Sequence, residues 1–262
     1  MASPRSGTTI LYNLFTRHRD TAFPEHFADK YYLQPWKFKI LPLMVKQQMR
    51  RYKIRPLPHE GLFLSKFFQF GKPLTENNVS KEIRSYIYSL IKAELKAFNA
   101  KRFVCKQVDF SMRIRFLNAL FPDAYYIVIW REPRAVIGSL FTQMSGEWKA
   151  KNHEQRGWLQ ITDDFDKNEP LIESCIKFYE RYSNSLKNEI EVIKDHVIEI
   201  DYENFVCSPK NELKRLYDYT ELYWYDALDK EIPDQLDLNA NKKWLNLPAE
   251  VKTVLEKKFL QK

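Results

Sequence analysis

The stretch "RFVCKQVDFSMRIRFLNALFPDAYYIVIW", residues 102–130, decides the fold class. Its start, "RFVCKQV" (102–108), is short, apolar and β-branched, which predicts a strand. "SMRIRFLNALF" (111–121) carries apolar residues at helical spacing. "AYYIVIW" (124–130) is a continuous apolar, β-prone run, the pattern of a strand covered on both faces.

The alternation continues outward. A helix is predicted from about Arg134 to Met144, and a long amphipathic one from about Leu171 to Lys194. "HVIEI" (196–200) reads as another buried strand, "PKNELKRLYDYTEL" (209–222) as a helix, and the tail from Pro248 as a last helix with proline in its first turn. Upstream, Ser80 caps a helix carrying Ile83, Ile87, Leu90, Ile91 and Phe98, with Glu94 at the edge of its apolar face. Residues 24–75 hold Pro24, Pro35, Pro42, Pro56, Pro58 and Pro73 among many aromatics, and read as short helices and loops packed on a body. Strands that alternate with helices of this length pair in parallel through right-handed crossovers. The expectation is therefore one α/β domain over residues 1–262, with a parallel sheet flanked by helices in a three-layer sandwich. In such sheets ligands sit at the carboxyl ends of the strands, which directs attention to residues 3–9, 109–111 and 131–134.

Composition narrows the partners. The net charge is +8, which favours anions: nucleotides, phosphates, sulfated sugars, nucleic acid or an anionic membrane surface. The excess reads as spread along the chain, densest in "KQQMRRYKIR" (46–55) and the C-terminal "EKKFLQK", mostly as solvated faces. Cys105, Cys175 and Cys207 are widely spaced, so neither a disulfide framework nor a zinc site is expected, and Cys105 and Cys175 read as buried small hydrophobes. The five histidines form no metal-ligating pattern. No apolar run approaches the ~20 residues of a membrane span, and no signal peptide is visible. As written the chain reads as cytoplasmic.

Only 6 glycines occur in 262 residues, so each is more informative than usual. Gly7 sits in "SPRSGTT" (3–9), directly before the helical pattern "ILYNLF". A helix N-terminus offers unpaired N–H groups and a partial positive charge, and a glycine loop before it lets the backbone wrap an anion. Arg5 adds a fixed cation, and Ser6, Thr8 and Thr9 add hydroxyl donors. The loop resembles a P-loop but departs from GxxxxGK[ST], because Thr8 stands where the lysine belongs. The second anion element is "WREPRAVIGSL" (130–140): Arg131 follows a predicted strand and Ser139 lies two helical turns on. Arg131 suits a bidentate clamp on phosphate, or a strand-end cap paired with acidic neighbours.

Together the two elements resemble the sulfotransferase family that uses 3′-phosphoadenosine 5′-phosphosulfate. Pro4, Ser6, Gly7, Thr8 and Thr9 match its PxSGTT loop, and Arg131, Pro133, Ser139 and Phe141 match its RxPxxxxxSxF element. "DYENFVCSP" (201–209) is similar to a further family stretch, and "NKKW" (241–244) is a weak likeness to its basic C-terminal segment. The resemblance implies that Ser6 to Thr9 and Arg5 hold the 5′-phosphosulfate. Arg131 and Ser139 would hold the 3′-phosphate, and no metal is needed. It also implies a strand before the loop, where only Met1, Ala2 and Ser3 stand, so the first strand reads as truncated. A truncated start would admit an upstream membrane anchor and a Golgi or membrane-associated setting.

The acceptor is open between a carbohydrate, a protein tyrosine, a lipid headgroup and a small alcohol. Residues 24–75 and 146–170 are the candidates to bind it, and no nucleic acid is expected there. For the base that takes the acceptor proton, Glu25 matches the family's glutamate in type and spacing. His26 is second, with Lys106 and Asp109 as outsiders. Two other readings remain: a non-catalytic anion- or nucleic-acid-binding protein, and a P-loop kinase.

Overall fold

The computed structural model describes residues 1–31, 33–53, 55–69, 71–150, 166 and 168–259. The chain divides into two compact units. One comprises Met1–Thr8, Tyr125–Glu212 and Pro233–Lys262, and the other Thr9–Ala124 and Leu213–Ile232.

The first unit is organised on two strands, β3 (Tyr126–Trp130) and β4 (Val197–Asp201), paired in parallel from Tyr126 opposite Val197 to Trp130 opposite Asp201. Val128 and Ile129 point to opposite faces of the sheet and both are buried, as the apolar run predicts. On the edge of β3 away from β4, the N-terminal amine of Met1 donates to Ile127 O and the Ile129 N–H donates to Met1 O. Met1 thus engages two backbone groups on that edge of β3. Helices α6 (Pro133–Ala150) and α7 (Leu171–Ile190) pack on one another, and a 3-10 segment, Leu238–Asn246, lies against α6. Gly138 permits that approach, since a Cβ there would stand 2.7 Å from Trp244 Cβ. α8 (Tyr202–Cys207) follows β4 directly, and the helix Ala249–Phe259 closes the unit against α6.

The second unit contains α1 (Thr8–Phe15) from Thr9 onward and a short parallel pair, β1 (Thr21–Ala22) with β2 (Arg102–Phe103). The strand expected over 102–108 is thus two residues long, and Val104 N–H extends its bonding to Ala22 O. A buried ion pair lies beyond its end. Asp109 and Arg113 meet at 3.0 Å, Asp109 also accepts from Gly71 N–H, and Arg113 donates to Gln69 O and Lys72 O. Asp109 lies in the 3-10 turn Val108–Met112 and Arg113 directly after it, before α5 (Ile114–Leu120). Ser80 caps α4 (Lys81–Phe98) by accepting from Ile83 N–H, and Asn99 ends it in the left-handed conformation. Glu94 is buried, not at the edge of the apolar face. Residues 24–75 hold α2 (His26–Lys30), three-residue-period turns at Pro35–Lys39 and Leu62–Lys66, and a full helix, α3 (Leu41–Tyr52). Pro42 sits in the first turn of α3, where proline is tolerated.

Cys175 is buried as expected, but Cys105 is half-buried, its Sγ facing Glu60 O at 3.7 Å. Most of residues 146–170, proposed for acceptor binding, lies outside the described residues.

Candidate active site

In the first unit the phosphate-type loop is held in a demanding backbone path. Arg5 has φ 69° and Gly7 φ 86°, both left-handed. For Gly7 the residue choice is doubly constrained, because a Cβ would fall 2.3 Å from the ring of Tyr202 at the start of α8. Ser3 and Ser6 share a hydrogen bond of 3.0 Å across the turn. Both are buried, so these hydroxyls fix the loop's shape.

The two anion elements read from sequence meet here. Arg5 Nε donates to Ser139 Oγ at 3.1 Å. Arg131, just past β3, donates from Nη1 to Arg5 O at 2.8 Å. Its Nε donates to Asn241 Oδ1 at 2.7 Å and its Nη2 to Ala240 O at 2.9 Å. The guanidinium lies over the Tyr202 ring, 4.2 Å from its centroid. Three of its five N–H groups are thereby committed to protein. Burial pulls the Arg131 guanidinium below its ordinary pKa; Tyr202 and Glu203 oppose that shift and Arg5 adds to it.

A carboxylate layer stands behind Arg131. Glu132 caps α6 by accepting from Ala135 N–H at 2.9 Å and pairs with Arg134 at 2.6 Å. Glu203 accepts from Glu132 N–H at 3.1 Å and from the Asn241 side chain. Trp130, Arg131, Glu132, Pro133, Asp201, Glu203 and Asn241 line a cleft of about 390 Å³ at the carboxyl ends of β3 and β4. Three of those seven side chains are acidic, Arg131 is the cation among them, and Glu132 is paired with Arg134. Further donor groups are Arg5, the loop amides and Ser139.

In the second unit, Thr9 is approached by Lys106, whose Nζ donates to Thr9 Oγ1 at 3.2 Å and is paired with Glu60. Glu25 is almost fully buried, and its Oε1 accepts from Ala28 N–H at 3.0 Å, capping α2. His26 is exposed, its ring centroid 6.2 Å from that of His59. Asp109 is buried, accepts from Gly71 N–H and pairs with Arg113. Arg5, Ser6, Gly7, Thr8, Arg131 and Ser139 thus belong to one unit, and Thr9, Glu25 and His26 to the other. Tyr202, Glu203 and Asn241 lie within the sequence motifs but carry no marked role there, and Glu60, the partner of Lys106, lies outside them. Nothing in spacing marks a residue that acts through another residue's side chain.

The profile of the sulfotransferase family matches residues 1–226. The chain belongs to the sulfotransferase family. Among solved structures, the sulfotransferase STF9 from Mycobacterium avium is similar to this sulfotransferase at 14% identity with a TM-score of 0.56, over 99% of this chain and 75% of that one. The sulfotransferase domain from the curacin biosynthetic pathway is similar at 16% identity with a TM-score of 0.51, over 98% and 94%. At these identities the likeness shows the fold, an α/β arrangement with parallel strands and many helices. No curated protein sequence matches the chain. Among the described residues of this sulfotransferase, no helix is long and apolar enough to cross a membrane, and no group of three His, Cys, Asp or Glu side chains could hold a metal ion.

Proposed function

We propose that this sulfotransferase takes its sulfuryl group from 3′-phosphoadenosine 5′-phosphosulfate and passes it to an acceptor hydroxyl on a small molecule, a carbohydrate or a protein tyrosine. The observation that carries the reading is the convergence of Arg5, Ser139 and Arg131, two of them cations, on one loop whose backbone is bent for close approach. Ser139 and the remaining N–H groups of Arg131 suit the 3′-phosphate. Backbone amides of Ser6 to Thr9, with Arg5 and the Thr8 and Thr9 hydroxyls, suit the 5′-phosphosulfate.

The acceptor oxygen attacks sulfur in line, and the bond from sulfur to the 5′-phosphate oxygen breaks. Negative charge grows on that phosphate oxygen, where Arg5 acts as a fixed cation. The acceptor proton passes to Glu25, with His26 as the second candidate. The products are the sulfated acceptor and 3′-phosphoadenosine 5′-phosphate. Calorimetric titration with that bisphosphate, against ATP and single-stranded RNA, tests the donor. Transfer of radiolabelled sulfate to a panel of alcohols, sugars and tyrosine peptides tests the reaction. Equal binding of all three nucleotides, with no transfer, would overturn the proposal.

A further inference from the structure

The positive charge of this protein is not spread along the chain. Residues 30–59 contain eight Lys and Arg and no Asp or Glu. Removing those eight from the 42 basic residues leaves 34, equal to the 34 Asp and Glu, so this segment alone carries the net charge of +8. The same segment is unusually apolar at its surface. Among the described residues eleven large apolar or aromatic side chains are well exposed, and six of them lie between residues 33 and 57.

The two features share one surface of the second unit. Leu33, Trp36, Ile40 and Leu43 are 61%, 64%, 43% and 70% exposed. Trp36 lies in the 3-10 turn Pro35–Lys39, Ile40 joins that turn to α3, Leu43 stands in the first turn of α3, and Leu33 precedes the turn. Leu43, Lys46 and Arg50 lie on one face of α3, and all are exposed, while Leu41, Pro42 and Val45 are buried beneath. Lys39, Lys46, Arg50, Arg51 and Lys53 have no carboxylate partner among the described residues. Arg55 is different: it is spent inside the unit on Thr16 O and His18 O, each at 2.7 Å. Lys37 rests 3.9 Å from the centroid of the Tyr31 ring and 5.3 Å from that of Trp36.

We infer that this face, from Leu33 to Lys53, docks the protein on a lipid bilayer containing anionic headgroups. Cations attract the headgroup layer, and the apolar side chains between them enter the acyl boundary, with tryptophan at the interface. A nucleic acid or acidic polysaccharide would engage the lysines and arginines but leave Leu33, Ile40 and Leu43 in water. A second copy of the same face would be repelled. The inference is independent of the proposed donor and acceptor chemistry.

Vesicle flotation with the full chain tests it. One set of vesicles is phosphatidylcholine alone, and the other contains about one quarter phosphatidylserine, at physiological salt. The protein should float with the second set only. Trp36→Ala and Leu43→Ser should each weaken the partition about tenfold, the scale of one large apolar side chain. Lys46→Gln and Arg50→Gln should each weaken it about fivefold. Lys257→Gln, on the helix Ala249–Phe259, should leave it unchanged. These positions are exposed, so unaltered thermal melts will show that the variants are folded. Failure to float with phosphatidylserine vesicles overturns the inference. So does retention on heparin that falls in the glutamine variants but ignores Trp36→Ala and Leu43→Ser, which would assign the face to a polyanion.

Discussion

Arg5 Nε lies 3.1 Å from Ser139 Oγ, across 134 residues of sequence. The cation of the phosphate-type loop and the hydroxyl of the second anion element are thus direct partners. An incoming bisphosphate would have to exchange that hydrogen bond for its own. Ser139→Ala should therefore have two opposed effects: loss of one bond to the 3′-phosphate, on the order of 1 kcal/mol, and release of Arg5. Affinity for 3′-phosphoadenosine 5′-phosphate should fall by no more than about tenfold, while adenosine 5′-phosphosulfate should bind no worse. Calorimetry with both nucleotides checks this.

Arg131→Ala should be costlier, and in a different way. The guanidinium donates to Arg5 O, Asn241 and Ala240 O, so its removal strands those acceptors as well as the 3′-phosphate. A lost charge-assisted bond costs roughly 1.5–3 kcal/mol, so the melting temperature should fall along with nucleotide affinity. Thermal denaturation with and without nucleotide separates the two losses. An unchanged melt would show that the three protein bonds contribute nothing.

Gly7→Ala meets two obstacles, the positive φ and the ring of Tyr202. The backbone cost is about 1–2 kcal/mol, and the steric clash adds to it. Tyr202→Ala in the same chain should recover the steric part and leave the backbone part. A double-mutant cycle on melting temperature measures the coupling, and strict additivity would show that the ring moves aside freely.

Glu25→Gln should lower kcat by at least about 10² while donor affinity holds. Glutamine keeps an oxygen that can accept from Ala28 N–H, so the cap on α2 survives the change. Near-normal turnover in this variant, with a collapse in His26→Ala, would move the proton to the histidine.

His18 gives the protein an acid-side limit. It is fully buried, its Nε2 donates to Tyr223 O at 2.8 Å, and its Nδ1 accepts from Asp20 N–H at 3.1 Å. Burial lowers its pKa below the ordinary 6.5. The unfolded chain then binds more protons than the folded one once pH drops below about 6.5. This contribution to stability is complete above that value and lost as pH falls through the folded pKa. Melting temperature should decline from pH 7 to 5, with a shallower slope in His18→Asn.

Local pattern carried much of the result. The apolar run at 124–130 specifies a strand wherever it is placed, since Val128 and Ile129 must both leave water. Ser80 caps α4 through its own side chain and one neighbouring amide, which are adjacent in sequence. The runs 3–9 and 130–140 are local in the same way, since each spans the start of a helix. The segment 30–59 also declares its charge in sequence alone, by containing no acid.

What required tertiary structure was every choice made by a distant partner. The strand expected over 102–108 pairs only at Arg102 and Phe103, opposite Thr21 and Ala22, and Asp109 and Arg113 meet Gly71, Gln69 and Lys72. Gly7 answers to Tyr202, and Arg131 to Asn241 and Ala240, more than 100 residues away. Exposure of Leu33, Trp36, Ile40 and Leu43 is likewise invisible in a string, because an apolar residue is buried or left in water by what packs on it. Sequence determines which groups are present and their local periodicity. Only the fold decides which of them meet, because hydrogen bonds and steric contact act over a few ångströms of space, whatever the separation along the chain.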